Sequence, residues 1–277
     1  MTTQIHEQTS AAWNRIATGY DQFVTSTHFW IASEGLRTVG LRPGERFLDV
    51  AAGSGALTLP ASRLGAHVTS VDASPVMIER LNARARSERL KVETGVMDGH
   101  ALEFEDNTFD VAGSQFGVML FPDMPRGIRG LARVIKPGGR VLMIVYGVPD
   151  KVEFFQFFVA AIQSVVPEFT GPPKNPPPLP FQLQDPAKLR QELTNAGLKD
   201  VRVDTTTEKI EFASGQQMWD WLVNSNPIVA SVLTELHLDA ERITDVRQAL
   251  DRMIRARAGA SDRAVLTNPV NIGVGTK

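Results

Sequence analysis

The sequence contains no cysteine. Disulfides, thiolate metal sites and cysteine nucleophiles are thereby excluded. Nor does any apolar run approach the roughly 18 residues of a membrane span. The longest candidate, Phe154 to Val166, is short and helical in character. The opening stretch, Met1 to Ser10, is polar and lacks the apolar core of a secretory signal. Charge is nearly balanced, 29 basic against 31 acidic side chains, for a formal net charge of −2. That balance favours no polyanion, so no nucleic-acid partner is expected. His, Asp and Glu show no His-x-x-x-His type of spacing, so no metal is expected either. Internal repeats are absent. Together these absences predict a cytoplasmic protein that does not engage a membrane.

What is present is organised around Phe47-Leu48-Asp49-Val50-Ala51-Ala52-Gly53-Ser54-Gly55. An apolar strand runs into a small glycine-containing turn, and a helix follows. Gly53 and Gly55 permit backbone angles that a Cβ would forbid, so the chain can reverse tightly and lie close to a ligand. A second apolar strand, Val68-Thr69-Ser70-Val71, ends at another acid, Asp72. An acid at that strand tip is placed to accept from two ribose hydroxyls. The pair of features reads as a nucleoside-cofactor site at the carboxyl ends of parallel strands.

The 277 residues suffice for one large domain with insertions or two small ones. Trp13, Ile16, Ala17 and Tyr20 form one face of a helix over 11–23, and a second helix is expected over 33–41. Strands are expected at 46–51, 67–72, 90–94, 109–114 and 139–145. Helices are expected between them near 56–64, 75–85 and 125–135. Ser74 is suited to cap the helix that begins at Pro75. Strands alternating with helices imply a doubly wound, mostly parallel α/β sheet covered on both faces.

After Tyr146 the pattern changes. A Phe-rich helix is expected over 152–166, and the stretch 167–180 holds seven prolines and reads as an irregular linker. A helix from Pro186 to Gly197, a strand over 200–212, helices over 214–223, 227–238 and 240–258, and a last extended segment over 264–275 complete the expectation. The domain reading is an N-terminal helical lid (1–40), a cofactor-binding α/β core (41–150), and a remainder (151–277) that supplies the last strands and two cap insertions, near 151–185 and 214–260.

Five stretches in order carry a family resemblance. They are Leu48-Asp49-Val50-Ala51-Ala52-Gly53-Ser54-Gly55; Val71-Asp72-Ala73-Ser74-Pro75-Val76-Met77; Gly95-Val96-Met97-Asp98-Gly99-His100-Ala101-Leu102 with the acidic turn after it; Phe109-Asp110-Val111-Ala112-Gly113-Ser114-Gln115-Phe116-Gly117; and Arg133-Val134-Ile135-Lys136-Pro137-Gly138-Gly139-Arg140. The chain resembles class I S-adenosylmethionine (SAM)-dependent methyltransferases, and is most similar to the small-molecule branch that includes quinone-biosynthesis enzymes. It departs from the commonest form at Ala51, where glycine is usual. The resemblance implies a seven-stranded Rossmann-like sheet, SAM as cofactor, and a small, largely apolar acceptor methylated on oxygen, nitrogen or carbon.

The resemblance also implies roles. The Gly53–Gly55 turn, with Ala51, would hold the methionine portion, and Asp49 would shape the turn or reach the amino group through water. Asp72 would bind the ribose; Ala73 and Met77 would pack on adenine. Asp98 would accept from the adenine amino group beside the Gly99 backbone. Ser114, Gln115 and Phe116 would stand beside the sulfonium and the acceptor, with Tyr20 in the lid. For a hydroxyl acceptor, His28 is the candidate general base, ahead of His100, His237 and Tyr146.

Two other functions compete. A nicotinamide-dependent oxidoreductase would need glycine at the third fingerprint position, where Thr58 stands. A SAM-binding protein without methyl transfer keeps the site but not the chemistry. Asn175-Pro176-Pro177-Pro178 superficially resembles the signature of amino-group methyltransferases that act on nucleic acids. It lacks the aromatic and follows the wrong strand, so it reads as linker.

Overall fold

Phe47, Leu48 and Val50 are fully buried in the first strand, β1 (Arg46–Val50). Neighbours in a strand point to opposite faces, so the sheet must be covered on both sides. The computed structural model describes residues 2–171 and 175–277, with side chains from Ser10 onward apart from Ser231. Met1 and residues 172–174 of the proline-rich stretch lie outside the described residues.

The sheet has seven strands in the order β3-β2-β1-β4-β5-β7-β6. The others are β2 (His67–Asp72), β3 (Val92–Val96), β4 (Phe109–Gln115), β5 (Ile135–Tyr146), β6 (Lys199–Phe212) and β7 (Ala264–Thr276). β1 to β5 pair in parallel, while β7 runs antiparallel to both β5 and β6. The expected doubly wound, mostly parallel seven-stranded sheet is thus observed. β7, last in sequence, is inserted between β5 and β6.

The helices are α1 (Thr2–Gly19), α2 (Phe29–Val39), α3 (Thr58–Arg63), α4 (Pro75–Ser87), α5 (Met124–Val134), α6 (Glu153–Gln163), α7 (Pro186–Asn195), α8 (Gly215–Ser225), α9 (Pro227–Glu235) and α10 (Ala240–Ala258). α4 packs on β2 and β3, α5 on β4 and β5, and α7 on β6 and β7. Ser74 caps α4 as expected, its hydroxyl accepting the Met77 N–H at 3.1 Å with Pro75 in the first turn.

Several boundaries differ from expectation. α1 reaches back to Thr2, through a polar stretch with no apolar periodicity to reveal it. It passes through a π-helical turn (Tyr20–Val24) and a 3-10 turn (Thr25–His28) before α2 begins at Phe29, four residues earlier than the expected Ser33. β5 starts at Ile135 rather than 139, because Ile135 pairs with Phe109 before the register shifts to Val111–Arg140.

α1 is tied down along the start of α4. Ser10 Oγ donates to the Ala73 carbonyl at 2.8 Å, the Asn14 amide oxygen accepts from Ser74 Oγ at 2.6 Å, and Arg80 reaches Thr18 Oγ1 at 3.0 Å. Arg84 pairs with Asp21 in the π-helical turn. α8 packs on that turn and on α1, and α10 packs on α8, α6 and β7. The N-terminal helices and the helices between β6 and β7 therefore share one cover over the carboxyl ends of the strands.

Candidate functional site

Strand order reverses between β1 and β4, and the crevice at such a switch point is where open α/β sheets take ligands. A cavity of about 230 Å³ lies there. It is built from the chain at the carboxyl ends of four strands: Ala51 and Gly53 after β1, Asp72 ending β2 and Ala73 after it, Met97 to His100 after β3, and Gln115 ending β4 with Phe116 and Gly117 after it.

The turn after β1 is left-handed at three places: Ala51 (φ 58°), Gly53 (φ 54°) and Gly55 (φ 104°). Glycine adopts this region freely, but for alanine it costs about 1–2 kcal/mol. The turn therefore holds strain at Ala51. The Ala51 Cβ stands against Gly117, at which a side chain would come within 2.5 Å of it.

Asp72 spans two strand tips. Its Oδ2 accepts the Gly53 N–H at 2.9 Å and its Oδ1 accepts the Ser74 N–H at 2.8 Å. Burial pushes its carboxyl upward, and these two backbone donors oppose that. Two oxygens offer about four acceptor sites, so lone pairs remain for a ligand.

Asp49 lies elsewhere. It is fully buried beneath the turn and does not line the cavity. Its Oδ2 accepts from Thr58 Oγ1 at 2.6 Å, and Thr58 also meets Ser70 Oγ at 2.8 Å. Oδ1 has no partner among the described residues. Burial pushes its pKa up to about 7; the Thr58 hydrogen bond opposes this and the Asp72 charge adds to it.

Among the remaining predicted residues, Tyr20, Ala73, Met77, Asp98, Gly99, Gln115 and Phe116 all line this cavity. Asp98 Oδ1 accepts both the backbone N–H of His100 (2.9 Å) and its ring Nδ1 (2.8 Å). The His100 ring stacks on Phe121 at 4.3 Å. At Gly99 a Cβ would come within 2.5 Å of Phe121, so this close approach needs a bare backbone. Gly55 and Ser114 are not brought to the cavity. Gly55 lets Leu59 and Leu81 approach, and Ser114 Oγ accepts the Val118 N–H at 3.0 Å.

Beside this cavity lies a second one of about 110 Å³, and Trp13, Tyr20, Phe116 and Leu120 line both. Phe116 is itself left-handed (φ 55°), a conformation that costs about 1–3 kcal/mol. That backbone sets its ring as a partition. The second chamber is apolar and aromatic, walled by Phe116, Tyr146, Phe154, Phe158 and Trp221, with His28 among them. The Phe116 and Tyr146 rings stack at 4.2 Å, and Phe154 meets Trp221 at 4.9 Å. His28 is buried, and its Nδ1 meets Glu208 Oε1 at 2.8 Å. His100 joins the cofactor-side cavity, whereas Tyr146 and His28 join the second chamber. His237 contacts its own turn, at the Glu235 carbonyl, and lines neither.

Sequence reasoning missed Glu208 and the wall after β4, which includes Leu120, Phe121, Asp123 and Arg126. Glu208 had a signal. It shares strand parity with Ile210 and Phe212, so it is an acid on a core-facing row. The wall after β4 follows from the rule that ligands sit at carboxyl ends of strands. Among the described residues, no group of three or more His, Asp or Glu could hold a metal, and no helix is long and apolar enough to cross a membrane.

A parallel sheet closed by an antiparallel seventh strand, with its cavity at the switch point, defines a class I methyltransferase fold. Residues 48–143 match the family model described as a methyltransferase domain. An uncharacterized protein of Mycobacterium tuberculosis is 34% identical over 168 residues, covering 60% of this chain and 60% of that protein. The chain thus spans less than two thirds of that relative's length. A demethylmenaquinone methyltransferase of Corynebacterium kroppenstedtii is 36% identical over 126 residues, covering 46% of this chain and 52% of that one. Among solved structures, the Haemonchus contortus phosphoethanolamine N-methyltransferase 2 in complex with S-adenosyl-L-methionine superposes with a TM-score of 0.53 at 22% identity, covering 89% of this chain and 52% of that one. The family resemblance read in the sequence is borne out.

Proposed function

We propose that this protein is a SAM-dependent methyltransferase that acts on a small, largely apolar molecule. The observation that carries this reading is the pair of adjoining chambers, one holding Asp72 and Asp98 at the strand tips and one aromatic beneath the cover, with a shared wall. The residues of the first chamber fit the adenosyl cofactor. Asp72 offers a carboxylate to vicinal hydroxyls. Ala73, Met77 and Met97 form an apolar slot for the base, and the bare backbone at Gly99 leaves room at its edge. Gly53 presents backbone where the methionine portion would lie.

When bound, the cofactor supplies an electrophilic methyl group on a sulfonium. The protein's contribution is alignment and exclusion of water. Positioning two reactants can be worth ~7–11 kcal/mol in favourable cases. The aromatic chamber holds an apolar acceptor next to the partition formed by Tyr20 and Phe116, and the shared cover keeps water out. The demethylmenaquinone relative and the SAM-bound structural neighbour support this reading.

Titration calorimetry with SAM and with its demethylated product tests it. Binding of both is expected, and transfer of label from methyl-labelled SAM to an apolar metabolite fraction. Absence of heat with either ligand would overturn it.

A further inference from the structure

We propose that His28, positioned by Glu208, is the base that takes the proton from a phenolic hydroxyl bound in the aromatic chamber. The proposal rests on the methyltransferase reading above and names its acceptor class.

His28 and Glu208 are 180 residues apart in sequence, yet Nδ1 and Oε1 meet at 2.8 Å with both side chains buried. A carboxylate accepts from Nδ1–H, which leaves the lone pair on Nε2. Nε2 has no hydrogen bond from the protein among the described residues, while the ring lines the aromatic chamber. The ring is locked by Phe116 at 5.0 Å and Trp221 at 6.0 Å. Gln115 Nε2 donates to the His28 carbonyl at 3.3 Å, tying this base to the residue that ends β4. A nucleophile-activating base oriented by a third group has this arrangement.

The second carboxylate oxygen, Glu208 Oε2, is buried with no partner among the described residues. A buried, half-satisfied carboxylate is costly for a resting fold. A positive charge formed at His28 compensates it. In the reaction the acceptor O–H bond breaks and an N–H bond forms at Nε2. The oxygen's electron pair bonds to the methyl carbon, and the cofactor leaves as a neutral thioether. One positive charge is lost from sulfur and one appears on the imidazole, beside Glu208.

The chamber selects the acceptor. Its walls are rings, which favour a flat aromatic ligand through edge and offset contacts. A phenol titrates near ~10, within reach of an imidazole base, whereas an aliphatic hydroxyl is not.

The test uses the whole protein without cofactor and para-nitrophenol as the probe, buffered on the acid side of the probe's own titration. The wild type should bind it as the coloured phenolate. His28→Gln should bind it as the neutral phenol, with the phenolate fraction reduced about tenfold or more. Glu208→Gln keeps a hydrogen-bond partner but no charge and should also lose the phenolate signature. Both variants should retain wild-type SAM affinity by calorimetry, which certifies the fold. Either variant keeping the phenolate band, or failure of the wild type to bind the probe, overturns the proposal. A His28-dependent phenolate in a protein that gives no heat with SAM would sink the methyltransferase reading and leave the base standing.

Discussion

Asp72 Oδ2 accepts the backbone N–H of Gly53 at 2.9 Å, joining two strand tips across 19 residues of sequence. The same carboxylate that lines the cavity therefore also shapes the turn beside it. Asp72→Ala is expected to lose SAM binding by about 100-fold or more, since at least two charge-assisted hydrogen bonds go at ~1.5–3 kcal/mol each. Asp72→Asn keeps one acceptor oxygen and should lose less. Calorimetry on both variants, with urea denaturation to separate turn damage from ligand loss, checks this.

Asp49 sets a pH dependence of stability. Its folded pKa of about 7 stands above its unfolded value of 3.8. The stability it contributes is therefore complete below 3.8 and is lost as pH rises through about 7. Asp72 is shifted in the same direction. The unliganded protein should melt at a lower temperature at about pH 8 than at about pH 5, with an upper bound on the order of 3 kcal/mol from Asp49 over that window. Asn in place of Asp49 can still accept from Thr58, and thermal melts of Asp49→Asn across that range should show a flatter profile. An unchanged slope would count against the assignment.

Ala51 and Gly117 should be coupled. Ala51→Gly relieves the left-handed alanine and is expected to stabilise by about 0.5–1 kcal/mol after the added chain entropy is set against it. Gly117→Ala brings a Cβ within 2.5 Å of the Ala51 Cβ and 2.9 Å of Ser114 Oγ, and should destabilise by about 1–3 kcal/mol. The double variant should recover part of that loss, because one of the two clashes is gone. A double-mutant cycle by denaturant unfolding measures the coupling, and strict additivity would refute the contact.

Trp13 lines both chambers, whereas Trp30 is half exposed and lies on neither. SAM binding should change the intrinsic fluorescence, and Trp13→Phe should remove most of the change. A titration with the same amplitude in that variant would place the ligand elsewhere.

Much of the fold was legible because its signals are local. The strand-turn-helix at 46–63 is spelled by consecutive residues, and Ser74-Pro75 marks a helix start by side-chain chemistry within one turn. The polar N-terminal stretch hid the first half of α1, since a helix without apolar periodicity leaves no pattern to read. Asp49 and Asp72 looked alike as acids at strand tips. Parity and the turn's handedness separate them: one faces down onto Thr58, the other across to Gly53.

The order of elements, the acids at the ends of β1 and β2, and the turn between β1 and α3 were determined by sequence alone, because each depends on residues within a few positions of one another. Tertiary structure alone decided that β7 slots between β5 and β6, that Phe116 divides two chambers, and that Glu208 meets His28. Those pairings join distant parts of the chain. Their partners are chosen by which buried faces and polar groups can satisfy one another in space, a choice that neither strand nor helix carries in its own residues.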